Sequence, residues 1–585
     1  MTRVTFYLVS SLIFLYSVNC TVQHTEYLAP VAGNSPLDGS DCKVFPGDVK
    51  WPTQYEWVAL NSSIGGVLLK PSPAGVVCYP GPEYDQSQCQ SLVRGASSSR
   101  FWLDDPLTEL AQWTQGSSCV ATLTPVGNCT RGGFPEYVVN ATTAKHVQAA
   151  VDFARTRNIR LVIKNTGHDF GGRSVGAGSL SVWTHNLKST EFIPSYEIGQ
   201  YSGMAVRIGS GVEAWEVSNL MAAHNITVVA AGCNTVGGSG GWLSSGGHST
   251  VTSTFGLGAD QALSFEVVTA DGRLVTADPL TNQDLFWALR GGGGGTYGII
   301  ISVVMKAYPS INVASSSLKL TVSNTPSSDS VQDIGTFWKG VAAYYRFAAN
   351  ILDAGGQGFS YIRPIGNNTY SFTTTSSFPG MTSTEAFNFL QPLYDSLKSV
   401  GINITNPTIG PARPYGSPRG GTGTQPANTR YRSRLLPREN WQSDSLFDQT
   451  ITAIRTAVEG GYENNFYFHG TLVSPTEGVA GWPGSDSAVI PAWRKNRMHA
   501  MLMETQPEGL TAKQAIDRNT LMQGYMKLLR DVSPGAGSYM NEGDPDEPDW
   551  QQAFFGDHYD RLLTIKQKWD PLGVFWAPTT VGSQA

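Results

Sequence analysis

Two glycine-rich turn sequences each carry one side chain able to form a covalent bond. NTGHDFGGRS (residues 165–174) places His168 just after a strand expected at 160–164. AGCNTVGGSGGW (231–242) places Cys233 after a strand expected at 226–230. Both turns offer successive backbone N–H groups, a nest suited to a pyrophosphate. The plainer readings are a satisfied histidine and one half of a disulfide. The second segment also holds Gly237-Gly238-Ser239-Gly240-Gly241, a G-x-S-x-G match that would make Ser239 a hydrolase nucleophile. Such an elbow needs a helix directly after the serine, and residues 242–248 are too glycine-rich for one. A third cluster, GGGGGTYG (291–298), contains G-x-G-x-x-G at Gly293, Gly295 and Gly298. A helix is expected before it and a strand after it, the reverse of a nicotinamide-binding Rossmann turn. No H-E-x-x-H motif, P-loop lysine or compact His/carboxylate cluster supports metal hydrolysis or phosphoryl transfer, and no metal is expected.

The elements around these turns alternate. Residues 145–157 carry apolar positions at helical spacing (Val147, Ala150, Val151, Ala154). Residues 212–225 read as a second amphipathic helix and 282–289 as a short one. Residues 262–270 and 299–304 are β-rich. Beyond 308 come a Ser-rich strand pattern at 316–323, helices at 331–346 and 383–400, and strand-like 358–364 and 464–472. A Gly/Pro/Thr/Arg-rich loop is expected at 406–430, and a helix over 550–569. The pattern predicts an α+β chain of two domains with a loop-rich N-terminal extension.

Composition narrows the classes. The 585 residues are 41% hydrophobic and 15% charged, which excludes a disordered chain. The net charge is −6 and no Lys/Arg run stands out, so no nucleic-acid partner is expected. Arg3 followed by the apolar run 4–18 reads as a secretory signal with cleavage near Cys20. The run is too short for a stable membrane span of ~20 residues. Sequons at Asn61, Asn128, Asn140, Asn225, Asn367 and Asn403 agree with export. Cys78–Cys89 and Cys119–Cys129 close short loops and are the expected disulfides. Cys42 and Cys233 either pair with each other or serve separately.

In combination these motifs resemble the FAD-linked oxidases of the vanillyl-alcohol-oxidase type, in their berberine-bridge-like subgroup and its secreted fungal members. DLFWALRGGGGGTYGII (284–300), YMNEGDPDEPDW (539–550) and FFGDHYDRLLTIKQKWDPLGVF (554–575) carry the likeness further. CKVFPGDVKW (42–51) is similar to isoamyl-alcohol-type and secondary-metabolite oxidases. The resemblance implies a two-part PCMH-type FAD-binding domain at 131–308. It also implies a substrate domain at 309–533, with a curved antiparallel sheet backed by helices, and a C-terminal segment at 534–585 that returns to the flavin domain. The signal (1–20) and the disulfide-bearing extension (21–130) precede these.

The resemblance also implies roles. His168 would bond to the flavin 8α carbon and Cys233 to flavin C6. Asn165, Thr166, Gly167, Asp169, Thr235, Val236, Gly237, Gly238, Gly241, Gly298 and Ile299 would complete the cofactor site. Gly238 falls at the position of an oxygen gatekeeper, where glycine leaves the ring open to O2. Glu542 is the favoured base, with Tyr539 as base or orienting donor. Tyr361, Arg363, Tyr467 and His469 are candidates to face the substrate. Asn234 and Ser245 depart from the proline and glycine usual in the family. The expected reaction is hydride transfer from a hydrophobic alcohol, possibly a secondary-metabolite intermediate, to FAD, with O2 reduced to H2O2. The rivals are a carbohydrate oxidase of the same family and a serine hydrolase using Ser239.

Overall fold

The computed structural model describes residues 42–584, except Ser97, 324–329, Asn367, Asn406, 423–427 and Glu508. The expected signal and the Asn367 sequon lie outside the described residues.

Three larger sheets organise the described residues, beside a two-stranded pairing of Ile226–Thr227 with Tyr308–Pro309. The first is mixed, in the order Leu68–Leu69, Tyr137–Asn140, Leu180–Trp183, Leu161–Lys164. Its last two neighbours run parallel, so Leu161–Lys164 ends beside Trp183 and delivers the His168 turn at a sheet edge. The helix Ala144–Thr156 covers this sheet through Val147, Ala150, Val151 and Ala154, the stripe legible in the sequence. The second sheet is antiparallel, in the order Thr190–Ile198, Tyr201–Gly209, Ile299–Lys306, Ala262–Val268, Leu274–Ala277. Its first two strands form a hairpin that the sequence reading passed over. Thr190–Ile198 is mostly exposed, so it lacks the strict alternation that marks a half-buried strand.

The third and largest sheet runs Ser330–Val331, Asn312–Val322, Thr369–Pro379, Gln357–Gly366, Phe466–Leu472, Asn496–Thr505, Thr429–Pro437. One face packs on the helices Ile334–Asp353, Asp444–Gly460 and Ala512–Asp531 around Phe337, Tyr344, Phe372, Phe468 and Met522. The other face looks toward the first two sheets. This is the α+β arrangement that the sequence predicts, with a helix-backed sheet that is antiparallel except where Ser330–Val331 runs parallel to Asn312–Val322.

Three expectations need correction, and one open alternative is settled. The region 406–430 is not all loop, because Thr408–Pro414 is a strand. It pairs with Asn312–Val322 alone, an edge position where Pro411 and Pro414 need not donate to a ladder. The helix expected at 383–400 is two, Ser383–Phe389 and Gln391–Ser399, with Pro392 in the first turn of the second, where a missing N–H costs little. The helix expected at 550–569 is also two, Trp550–Phe555 and Tyr559–Trp569, broken where Gly556 turns to φ +56°. Cys42 and Cys233 do not pair. Cys42 is disulfide-bonded and Cys233 stands outside the disulfides, while Cys78–Cys89 and Cys119–Cys129 form as expected.

The C-terminal segment ties the parts together. The buried ammonium of Lys566 donates to Thr296 O (2.8 Å), Asp570 Oδ2 (2.6 Å) and Phe575 O (2.5 Å). Phe575 bridges to Leu161 on the first sheet. Upstream, Arg432 of the large sheet is fully buried. It donates to Asp544 Oδ2 (3.0 Å), Glu504 Oε2 (3.1 Å) and Asn519 Oδ1 (2.8 Å). Arg430 adds a second pairing to Asp544 and one to Asp546, and Arg518 pairs with Glu504. Removing one partner of such a group strands the others without water. Arg432→Ala should therefore lower stability by ~3–5 kcal/mol, read as a drop in the denaturant midpoint.

Candidate functional site

The glycine turns meet at one cleft. Its walls come from Leu161–Ile163, the turn 165–174, Val236 to Ser245, the run 294–300, Tyr539 to Glu542, and Trp576. Three elements from distant parts of the sequence thus face one another.

Close backbone contact explains the glycines. Asn165 donates through Nδ2 to Ser210 O (2.5 Å). A Cβ on Gly237 or Gly240 would lie 2.6 or 2.8 Å from that same Nδ2. A Cβ on Gly294 would lie 2.6 Å from Gly241 Cα. Gly241 itself faces open space, so a side chain there would enter the cleft. Asp169 closes its own turn by accepting from Gly171 N (3.0 Å) and Arg173 N (2.6 Å). Thr166 is buried, and Gly167 takes φ +80° as its carbonyl accepts from Leu110 N.

Thr235 brings the two reactive side chains together. Its buried hydroxyl lies 2.8 Å from His168 Nε2 and 3.7 Å from Cys233 Sγ. The turn is fixed from outside, because Trp215 N donates to Asn234 O (2.8 Å) and Ala214 N to Val236 O (2.9 Å). Asn234, in place of proline, thus still presents a carbonyl that anchors the turn. Burial, reinforced by Lys164 and Arg100, pulls the His168 pKa down to about 4, so its imidazole is neutral. His168, Asn165, Thr166, Gly167, Asp169, Val236, Gly237, Gly241, Gly298 and Ile299 all line the cleft. Thr235 is fully buried beside it and Cys233 is half-buried; neither is among its lining residues.

Gly238 does not line it. Its missing Cβ would lie 2.9 Å from Ile208 Cδ1 and near Val217, in the core beneath. A side chain here would press on the sheet instead of screening the cleft, which removes the gatekeeper reading. The hydrolase reading fails as well. Ser239 is fully buried, its hydroxyl has no hydrogen-bond partner among the described residues, and the helix after it, Gly241–Ser244, is a single turn.

At the other end Glu542 faces the cleft between two histidines. His499 donates through Nε2 to Glu542 Oε2 (2.7 Å), and His248 Nε2 approaches both oxygens at 3.3 and 3.4 Å. Burial alone would raise the Glu542 pKa, but His248 and then His499 outweigh it and hold the carboxyl well below the usual range. Tyr539 is buried against both histidines and Trp493, and its oxygen accepts from Asn541 Nδ2 (2.7 Å). Burial and the Glu542 charge push its pKa upward, so the phenol stays protonated and suits orientation, not base work. Neither histidine was singled out in the sequence. His248 ends a glycine run, and His499 sits in a strand otherwise read as core.

The large sheet brings a face close to Glu542, whose charge acts on Tyr361, Tyr431 and His469. Tyr361 lies directly opposite His469, which lies opposite Met501, and Tyr467 lies opposite Met503. Tyr361 stacks on His469 at 4.3 Å, and Arg363 covers Tyr361 and Tyr467. Across the gap Tyr431 stacks on Phe170 of the His168 turn at 3.9 Å. The four residues proposed from the sequence thus share one face, beside sulfur and aromatic neighbours.

Asn165 Oδ1, Ser210 Oγ and Ser245 Oγ are buried at this cleft without hydrogen-bond partners among the described residues. Buried polar atoms are rarely left so. Glycine backbone, unmet donors and acceptors, and apolar walls from Leu161, Ile299 and Trp576 fit a flavin dinucleotide. The fold and the site define a flavin-binding oxidoreductase. Residues 135–278 match the FAD binding domain family, and 538–582 match the family described as berberine and berberine like. The bifunctional decalin synthase calF of Penicillium decumbens is 34% identical, over 95% of this chain and 96% of its own. The VAO-type flavoprotein oxidase VAO615 of Thermothelomyces thermophilus is 35% identical over 93% of both chains. The crystal structure of the VAO-type flavoprotein MtVAO615 from Myceliophthora thermophila matches with a TM-score of 0.84 at 32% identity, covering 93% of this chain and 97% of that one. This chain belongs to the VAO-type, berberine-bridge-like FAD-linked oxidoreductases.

Two glycines separate structural from ligand-facing roles. Gly238→Ala should cost ~1–3 kcal/mol of stability by overpacking. Gly241→Ala should leave the melting temperature of the flavin-free chain unchanged while weakening FAD retention. Thermal melts with and without FAD distinguish the two.

Proposed function

We propose that this protein is a secreted covalent-flavin oxidase that takes a hydride from a hydrophobic alcohol and passes the electrons to O2, yielding H2O2. The observation that carries this reading is the Glu542 carboxylate, held ionised at the cleft near the aromatic and sulfur-rich face of the large sheet. Bound FAD would supply a two-electron acceptor. His168 would tether it through the 8α carbon, and Cys233 through C6. Asn165, Ser210 and Ser245 would meet its polar edges.

The chain's own residues would do the rest. Phe359, Tyr361, Tyr467, Met501 and Met503 would exclude water from an apolar substrate. Glu542 Oε1 or Oε2 would accept the hydroxyl proton as the hydride leaves carbon. Tyr539 and Asn541 would fix the approach. His469 would stay neutral, because its Nδ1 donates to Ser360 O (2.8 Å) and burial pulls its pKa down to about 3. The apolar face favours a hydrophobic alcohol over a sugar, which would need many hydrogen bonds there. The division into a flavin domain at 131–308, a substrate domain at 309–533 and a returning segment at 534–585 accords with this split of duties. The disulfides Cys78–Cys89 and Cys119–Cys129, the disulfide-bonded Cys42 and five described sequons accord with the secretory lumen, and among the described residues no helix is long and apolar enough to cross a membrane.

A peroxide assay on a panel of aliphatic, benzylic and polyketide-like alcohols and sugars tests the reading. Peroxide from apolar alcohols is expected. Activity confined to sugars would overturn the substrate class. Glu542→Gln should keep the flavin spectrum and lose ~10²–10⁴-fold in turnover, the usual worth of a placed base. Since His248 holds the Glu542 pKa down, the wild-type acid limb should fall below the ~4.3 of a free glutamate. His248→Asn should move that limb upward in the pH profile of kcat/KM.

A further inference from the structure

We propose that Thr235 is the positioning residue for flavin attachment at His168, holding Nε2 so that Nδ1 forms the bond and carrying the Nε2 proton away. This rests on the covalent link proposed above and adds the residue that makes the link feasible.

The geometry comes first. Among the described residues, Thr235 Oγ1 is the one hydrogen-bond partner of the His168 ring, at 2.8 Å from Nε2. His168 lines the cleft, so with Nε2 engaged by a residue outside its lining, Nδ1 is the nitrogen left for a bond into it. Which ring nitrogen carries the proton is set by the partner of the other. An Nε2–H that donates to Thr235 Oγ1 leaves the Nδ1 lone pair bare, the form a nucleophile needs. The hydroxyl cannot swing away to solvent, because Thr235 is fully buried and its flanking carbonyls, Asn234 O and Val236 O, are pinned by Trp215 N and Ala214 N.

The proton balance supplies the second argument. Attachment forms one C–N bond and breaks one C–H bond at the 8α methyl carbon and one N–H bond at the imidazole. The two electrons released reduce O2, with the two protons, to H2O2. Attack by Nδ1 while Nε2 keeps its proton would leave an imidazolium. Burial together with the charges of Lys164 and Arg100 disfavours that cation here. The proton must therefore leave Nε2 as the bond forms, and Thr235 Oγ1 is the group in place to receive it. Its own hydroxyl proton passes on to the O2 reduction that the balance above already contains, so the relay does not require Cys233.

Cys233 would mask a failed histidine link by its own tether, so the test uses the Cys233→Ala background. Thr235→Val and Thr235→Ser are made in it, and flavin-free protein is incubated aerobically with FAD. Covalent flavin is followed by acid precipitation, in-gel fluorescence and the mass of the peptide bearing His168. Bound but unattached FAD is read separately from the absorption of the native protein. The expected result is attachment slowed about a hundredfold in Thr235→Val, the low end of what a placed proton acceptor contributes, with FAD still bound and Thr235→Ser restored. Attachment at the Cys233→Ala rate in Thr235→Val would overturn the proposal and leave the covalent reading intact. Loss of bound FAD in Thr235→Val, or no rescue by serine, would also overturn it by making the residue a packing element. Absence of covalent flavin in the wild type would overturn both.

Discussion

A guanidinium with no access to water must find its hydrogen-bond acceptors inside the protein, and Arg432 finds two carboxylates and an amide oxygen on three elements at once. Asp544 comes from the C-terminal segment, Glu504 from the neighbouring strand and Asn519 from a helix behind the sheet. Asp544 lies two residues beyond Glu542. The same contact that neutralises Arg432 therefore sets the height of Glu542 above the large sheet. His499, on the strand beside Arg432, then meets that carboxylate at hydrogen-bond distance. Once a buried charge is committed to this arrangement, the segment 539–547 cannot shift without exposing several unpaired ionic groups to a low-dielectric interior.

The opposite wall depends on a different constraint, the closeness of backbone to backbone. Asn165 fits between Gly237 and Gly240, and Gly241 presses on Gly294. Glycine is required at 237, 240 and 294 for volume, not for backbone angle, whereas Gly241 looks into the cleft. Positive φ governs elsewhere, as at Gly167 and Gly295. These contacts draw the His168 turn and the Cys233 turn within reach of one hydroxyl, although one follows a parallel strand of the first sheet and the other caps a helix beside the second.

Much of this was legible in sequence because it is local. The stripe Val147–Ala154 predicts its helix, the glycine runs predict tight turns, and the order of helix and strand around 291–298 excludes a Rossmann turn. Adjacent cysteines predict their disulfides. What escaped is relational. The direction in which Gly238 would place a side chain depends on Ile208, a residue from another strand. His248 and His499 acquire meaning only when Glu542 arrives between them. Thr408–Pro414 reads as loop because its prolines oppose a central strand, and only its edge position makes it acceptable. The breaks at Pro392 and Gly556 were misread because apolar spacing continued across them.

The return of the C-terminal segment has a consequence for how the molecule comes into being. The cleft is floored by the His168 and Cys233 turns, yet Tyr539 to Glu542 and Trp576 close it. During synthesis the floor is made hundreds of residues before the lid. Phe575 must reach Leu161, and Lys566 must reach Thr296, before the site has all its walls. Cofactor enclosure is therefore among the last events of biogenesis, and it takes place in whichever compartment the finished chain folds.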